Sequence, residues 1–181
     1  MNAVRSPQWP DAAVERDGFD ALDVCHRQML FALGKLSALV ARLGTLGPDA
    51  EARTMADELI AFFSTTVRQH HEDEERHVFP RLAAGDDPEV ARAVVRLQRD
   101  HDWLEEDWMD LSPHLEAVAG GRAGYSMEVL SDGAAAFTAL LHDHIALEES
   151  CIYPQARARL GAAEKHEMGR EMAERRRRTR A

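Results

Sequence analysis

Apolar residues recur along this chain in alternating steps of three and four, the spacing that collects one face of an α-helix. The first seam is Phe19, Leu22, His26, Met29, Leu33, Leu36 and Val40, which predicts a helix over about residues 19–43, broken by the Gly- and Pro-containing stretch 44–49. The second helix starts near Ala50, carries Phe63, Val67, His70, Glu74 and Val78, and must kink or end near Pro80, which has no backbone N–H to give. Residues 84–88 form a turn in which Asp87 caps the next helix ahead of Pro88. That third helix carries Val94, Leu97, His101, Leu104, Trp108 and Leu111; Pro113 is expected to kink or stop it, and the glycines of 120–124 to end it. A fourth, capped by Ser126, presents Phe137, Leu141, His144, Glu148 and Ile152 and runs to about Leu160. The prediction is all-α: an antiparallel up-down-up-down four-helix bundle over residues 17–160, an irregular lead-in over 1–16, and a short extra C-terminal helix with a basic tail over 161–181.

Every one of the four seams contains a histidine, and two also contain a glutamate. Residues 63–80 and 137–154 are degenerate copies at an offset of 74, sharing Phe63/Phe137, His70/His144, Glu74/Glu148, Glu75/Glu149 and Pro80/Pro154. In each copy His and Glu stand four apart and so stack on one helical face. The repeat extends further, since Leu22–His26 aligns with Leu97–His101. At 1.5 Å rise per residue, the histidines flanking the first and third turns sit at matching heights of roughly 30–35 Å from those turns. An up-down-up-down bundle therefore brings His26, His70, Glu74, His101, His144 and Glu148 to one level.

Burying such groups is costly unless a partner satisfies them. One buried histidine is ordinarily a satisfied core polar; six polar residues on four seams at one level are not. Two His-Glu pairs facing each other suit a carboxylate-bridged pair of metal ions. With both glutamates bridging, two octahedral ions have eight of twelve positions filled by protein, a bridging oxide or hydroxide fills two more, and about one per ion stays open to solvent, O2, NO or peroxide. Imidazole plus carboxylate with open positions fits two iron ions per chain, and manganese less well; structural zinc would want closed tetrahedral sites.

Composition narrows the partners. The formal net charge of −10 argues against nucleic acid as the main partner. No uninterrupted apolar run approaches the 18 residues of a membrane span, and the first residues contain no apolar signal-like segment, so no membrane partner and a cytoplasmic location are expected. Cys25 and Cys151 make no disulfide framework and fit a reducing compartment. They are read as buried inert thiols, a redox-responsive pair being the alternative. The basic run 175–180 reads as a solvated helix end. The chain is expected to be a monomer or homodimer.

His26, then His70-x-x-x-Glu74, His101 and His144-x-x-x-Glu148, with Phe-Pro and Tyr-Pro following the glutamates, resembles the hemerythrin-like HHE cation-binding family over residues 19–160. The resemblance implies a four-helix bundle holding a non-haem di-iron centre. It also implies engagement of O2 or related small oxidants, as a sensor or in oxidative and nitrosative stress; the alternatives are a peroxide- or NO-consuming enzyme and an iron store or delivery protein. One departure stands out: oxygen-carrying members place a further histidine four residues after the helix 3 ligand, where this chain has Glu105. Glu105 is then either a seventh ligand or a residue lining the path to the open site, and simple reversible O2 carriage is in doubt. His71, at the repeat position of Ile145, reads as a neighbour of the ligands or a surface residue, with metal contact as the other reading. Glu75 and Glu149 lie one step off the seam, with bridging in place of Glu74 or Glu148 as their alternative role. His114 is expected in solvent, and Trp103 and Trp108 in packing.

Overall fold

The structure is a computed structural model and describes residues 17–179. The 1–16 lead-in lies outside them. Among the described residues there is no strand. The chain forms α1 (Gly18–Leu46), α2 (Ala50–Ala61), α3 (Arg68–His77), α4 (Phe79–Ala83), α5 (Pro88–Ala119), α6 (Met127–Leu147), α7 (Tyr153–Arg159) and α8 (Ala162–Thr179). Two π-helical turns complete it: Phe62–Val67 joins α2 to α3, and Glu148–Ile152 joins α6 to α7. The result is a helical bundle in which α1 packs on α2, α6 and α8, and α5 packs on α2 and α6.

Local chemistry fixes the helix starts. Asp17 accepts hydrogen bonds from the backbone N–H groups of Phe19 and Asp20, while the Asp20 side chain reaches back to the Asp17 N–H, a reciprocal capping box. Asp49 caps α2, Asp87 caps α5 ahead of Pro88, and Ser126 caps α6. Gly47 closes α1 at φ 69°, a backbone conformation that side chains disfavour.

Two expectations need correction, and one feature is additional. Pro113 does not stop its helix, because α5 runs through it to Ala119. The proline forfeits one bond, to the carbonyl of the exposed Met109, which solvent can satisfy. The π turns are new; in the second, the Tyr153 N–H reaches back five residues to the Glu148 carbonyl. The C-terminal basic run is solvated only in part: Arg177 and Arg178 are exposed, but Arg175 and Arg176 both pair with Asp73, Arg176 at 2.8 Å, and Asp73 is fully buried. A buried carboxylate requires such cations. α8 is an 18-residue helix docked on α1 and α3. Its crossing of α1 is close enough that a Cβ on Gly18 would overlap Met168 and one on Gly169 would lie 3.0 Å from the Gly18 nitrogen.

α1 is long and apolar enough to span a membrane by composition, with a mean hydropathy of 1.5 over an 18-residue window. In the fold, however, its inward residues Leu22, Met29, Leu33, Leu36 and Leu39 are core.

That core is split in two. One apolar cluster gathers Met29, Leu33, Phe63, Val67, Leu104, Phe137 and Leu141. The other gathers Phe19, Leu22, Val78, Phe79, Leu97, Ile152 and Tyr153, closed by Met168 and Met172 of α8. The histidines occupy the seam positions between the two clusters, so the bundle carries a polar layer sandwiched by apolar ones.

Candidate metal centre

The four helical faces bring His26 (α1), His70 and Glu74 (α3), His101 (α5), His144 (α6) and Glu148 (first residue of the second π turn) into that layer, each no more than 6% exposed. His26, His70, Glu74 and Glu148 form one group whose donor atoms lie within 4.8 Å of one another; Glu74, His101, His144 and Glu148 form a second. The two groups share both carboxylates. Glu74 turns Oε1 to His70 Nε2 at 3.3 Å and Oε2 to His101 Nε2 at 3.4 Å. Glu148 turns Oε2 to His26 Nε2 at 3.2 Å and Oε1 to His144 Nε2 at 3.1 Å. Glu74 Oε2, His101 Nε2, His144 Nε2 and both Glu148 oxygens are buried without a hydrogen-bond partner. Buried polar atoms are rarely left so, and nitrogen and oxygen donors converging in this way fit a cation.

Behind the ligand-type nitrogens stands a ring of carboxylates that seam analysis had placed off the interior. Glu149 Oε1 accepts from His26 Nδ1 at 3.0 Å, and Glu75 Oε1 from His101 Nδ1 at 2.8 Å. Asp100 Oδ2 lies 3.9 Å from His144 Nδ1. The two hydrogen bonds set the tautomers of His26 and His101 and aim their Nε2 atoms inward. The doubled glutamate in both copies of the repeat is the signal for Glu75 and Glu149. Tyr153 had no such signal, because the repeat pairs it with Phe79. Its buried hydroxyl donates to Glu74 Oε1 at 2.5 Å and lies 3.1 Å from His26 Nε2. Burial, then Glu74 and Glu148 nearby, push the phenol well above its ordinary pKa, so it stays an O–H donor.

Electrostatics follow from the same packing. Burial opposes charge on His144, but Glu148 and Asp100 outweigh it and push its pKa up to about 10. Burial is likewise outweighed by Glu148, Glu74 and Glu149 at His26, and by Glu74 and Glu75 at His101, so both are raised. His70 is lowered by burial, which Glu74 offsets only in part. His71 is held well below its ordinary value by burial and by His101 and His144 beside it. Cation uptake at such a site must displace protons from imidazoles.

The remaining candidates fall as follows. Glu105 is 58% exposed, faces Arg68 at 3.4 Å, and joins none of the donor groups. It lines a cleft of about 400 Å3, walled by Phe63, Val67, Leu104, Trp108 and Phe137, that leads in to His71 and His101. His71 Nε2 is buried, and its ring stacks on His101 at 3.9 Å. His114 is not free in solvent: its Nδ1 accepts from the Ser126 N–H at 3.0 Å. Trp108 packs on Phe63 and Phe137 and donates to Ser64 Oγ, whereas Trp103 is 48% exposed. Cys25 is buried, Cys151 partly so, and the two form no disulfide.

Comparison with known proteins agrees with this geometry. The family model of the hemerythrin HHE cation binding domain matches residues 17–156. An uncharacterised protein of Haemophilus influenzae is 27% identical over 165 residues, covering 91% of this chain and 92% of that protein.

Proposed function

The chain belongs to the hemerythrin HHE cation-binding domain family, and from that premise we infer that it holds two iron ions between its two donor groups and engages O2 or a related small oxidant. The observation that carries this reading is the division of labour within each glutamate. One oxygen of Glu74 and of Glu148 faces one histidine pair, and the other oxygen faces the second pair. A carboxylate so placed would hold a cation on each of its two oxygens. The helical order, short turns and level donor set support an antiparallel up-down-up-down bundle as the frame. When bound, the iron pair supplies the redox chemistry and the binding position for the oxidant.

The chain's own residues do the rest. Glu149 holds His26 in place and Glu75 holds His101, while Asp100 lies near His144. Tyr153 keeps a proton at Glu74 Oε1, where it can be shared with a bound ligand. The two apolar clusters keep bulk water from the layer. Glu105, at the cleft, faces Arg68 and would not hold metal. The reading is a cytoplasmic oxygen or redox sensor or stress protein, without nucleic-acid or membrane partners.

Metal analysis of protein from iron-replete cells should return close to two irons per chain; one iron, or zinc throughout, would overturn the dinuclear assignment. Stopped-flow mixing of the reduced, iron-loaded protein with O2 should oxidise it irreversibly. Recovery of the reduced spectrum on removing O2 would mean reversible carriage instead.

A further inference from the structure

The two halves of the centre are unequally furnished with nitrogen if only the four seam histidines count, and the structure supplies a fifth. We propose that His71 is a metal ligand, the third imidazole of the His101–His144 half, filling the role that helix position would give to Glu105. The proposal rests on the dinuclear reading above.

Four observations carry it. His71, His101 and His144 form a donor group of their own, with one ring nitrogen from each within 4.8 Å of the others. His71 Nε2, His101 Nε2 and His144 Nε2 are all buried, and none has a hydrogen-bond partner. The three rings are neighbours: His71 lies parallel to His101 with centroids 3.9 Å apart and edge-on to His144 at 5.5 Å, and because a metal lies in the plane of each imidazole that holds it, His71 tilts out of this stack when it ligates. Glu105 has turned away, 58% exposed and facing Arg68.

Helix geometry explains the arrangement. Consecutive residues point about 100° apart around a helix of 3.6 residues per turn. α3 therefore presents His70 to the His26 half and His71 to the His101–His144 half, so adjacent histidines serve different ions. The sequence repeat hides this, because Ile145 occupies the matching position in the second copy. With His71 counted, one ion has three protein nitrogens and the other has two. The open position then belongs to the His26–His70 ion, beside the Tyr153 hydroxyl, while His71 stands between the cleft and the fuller half.

The test uses the full-length chain loaded with cobalt(II) and proton NMR. Each coordinated imidazole that retains an N–H gives a strongly shifted, solvent-exchangeable resonance. The wild type should bind two cobalt ions and show five such resonances. His71→Gln should show four, and Glu105→Ala five. In the iron-loaded His71→Gln protein, one iron should be lost to a chelator faster than in the wild type. The expected factor is at least the ~10-fold that losing even an outer hydrogen bond to a ligand costs, and added imidazole should slow that loss. Two bound ions with only four shifted resonances in the wild type would overturn the role of His71 while leaving the dinuclear reading intact. Fewer than two bound ions would overturn that reading and this proposal with it. The wild-type count decides the matter even if a variant folds poorly.

Discussion

Glu74 and Glu75 are adjacent, yet they do different work. Glu74 is fully buried with one oxygen toward each half of the centre, whereas Glu75 reaches the layer only through His101 Nδ1. Glu74→Ala should abolish retention of the metal pair. Glu75→Ala should keep it with affinity lowered roughly 10–100-fold, the usual cost of losing a hydrogen bond behind a ligand. Competition against a graded chelator measures both; metal loss in Glu75→Ala with retention in Glu74→Ala would shift the register by one residue. The seam period made the six inward residues legible before any coordinates, because burial and helical phase are properties of spacing. It could not find Tyr153, since a phenol and a phenyl ring fill the same seam position and differ only in one hydroxyl whose partner lies 79 residues away. Nor could it place His71, one step off the seam, because which neighbour a side chain meets there depends on how close α5 and α6 approach.

The helices themselves follow from short-range rules, which is why their starts were readable. Asp49 shows how much such a rule carries. Its carboxylate accepts the Ala52 N–H and pairs with the Arg42 guanidinium, and these contacts hold its pKa down at about 2. A carboxyl lowered in the folded state contributes stability that is complete above its unfolded pKa of about 4 and is lost as the pH falls from there toward 2. Asp49→Ala should therefore lower the melting temperature at pH 6, and the gap to wild type should close across that acid window. An unchanged gap at pH 2.5 would show that the cap acts without its charge. Where sequence reading failed at this scale, the cause was context. Pro113 breaks helices in general, but here the carbonyl it strands belongs to an exposed residue. The π turns left no compositional trace, because adding one residue to a turn is decided by packing on the neighbouring helices.

At the scale of the molecule, α8 is part of the frame. Asp73 is buried beside Glu74, and Arg175 and Arg176 reach it from the far end of the chain. Reading those arginines as a solvated run followed from their composition, and nothing local announces that a carboxylate 102 residues earlier is buried. Replacing both arginines by alanine should destabilise the protein by about 3 kcal/mol, the low end for a broken buried pair, because both guanidinium groups stay partly open to water. In an Asp73→Asn background the same double change should cost about 1 kcal/mol or less. Urea unfolding of the four proteins gives the coupling, and equal costs in the two backgrounds would free Asp73 from α8.

The second π turn makes the two shared carboxylates mechanically unlike. Glu74 sits within the ordinary α-helix of α3, clamped by Tyr153, whereas Glu148 opens a π turn, a rare form whose hydrogen bonds span five residues instead of four. Backbone amides of residues 148–152 should exchange with deuterium faster than those of α3 in the metal-free protein, and the difference should shrink when metal is bound. Equal protection in the metal-free state would contradict this. Glu74 would then be the stiff support of a bound metal and Glu148 the compliant one, so any give that the metal asks of its carboxylates would fall to Glu148 and leave the rest of the bundle at rest.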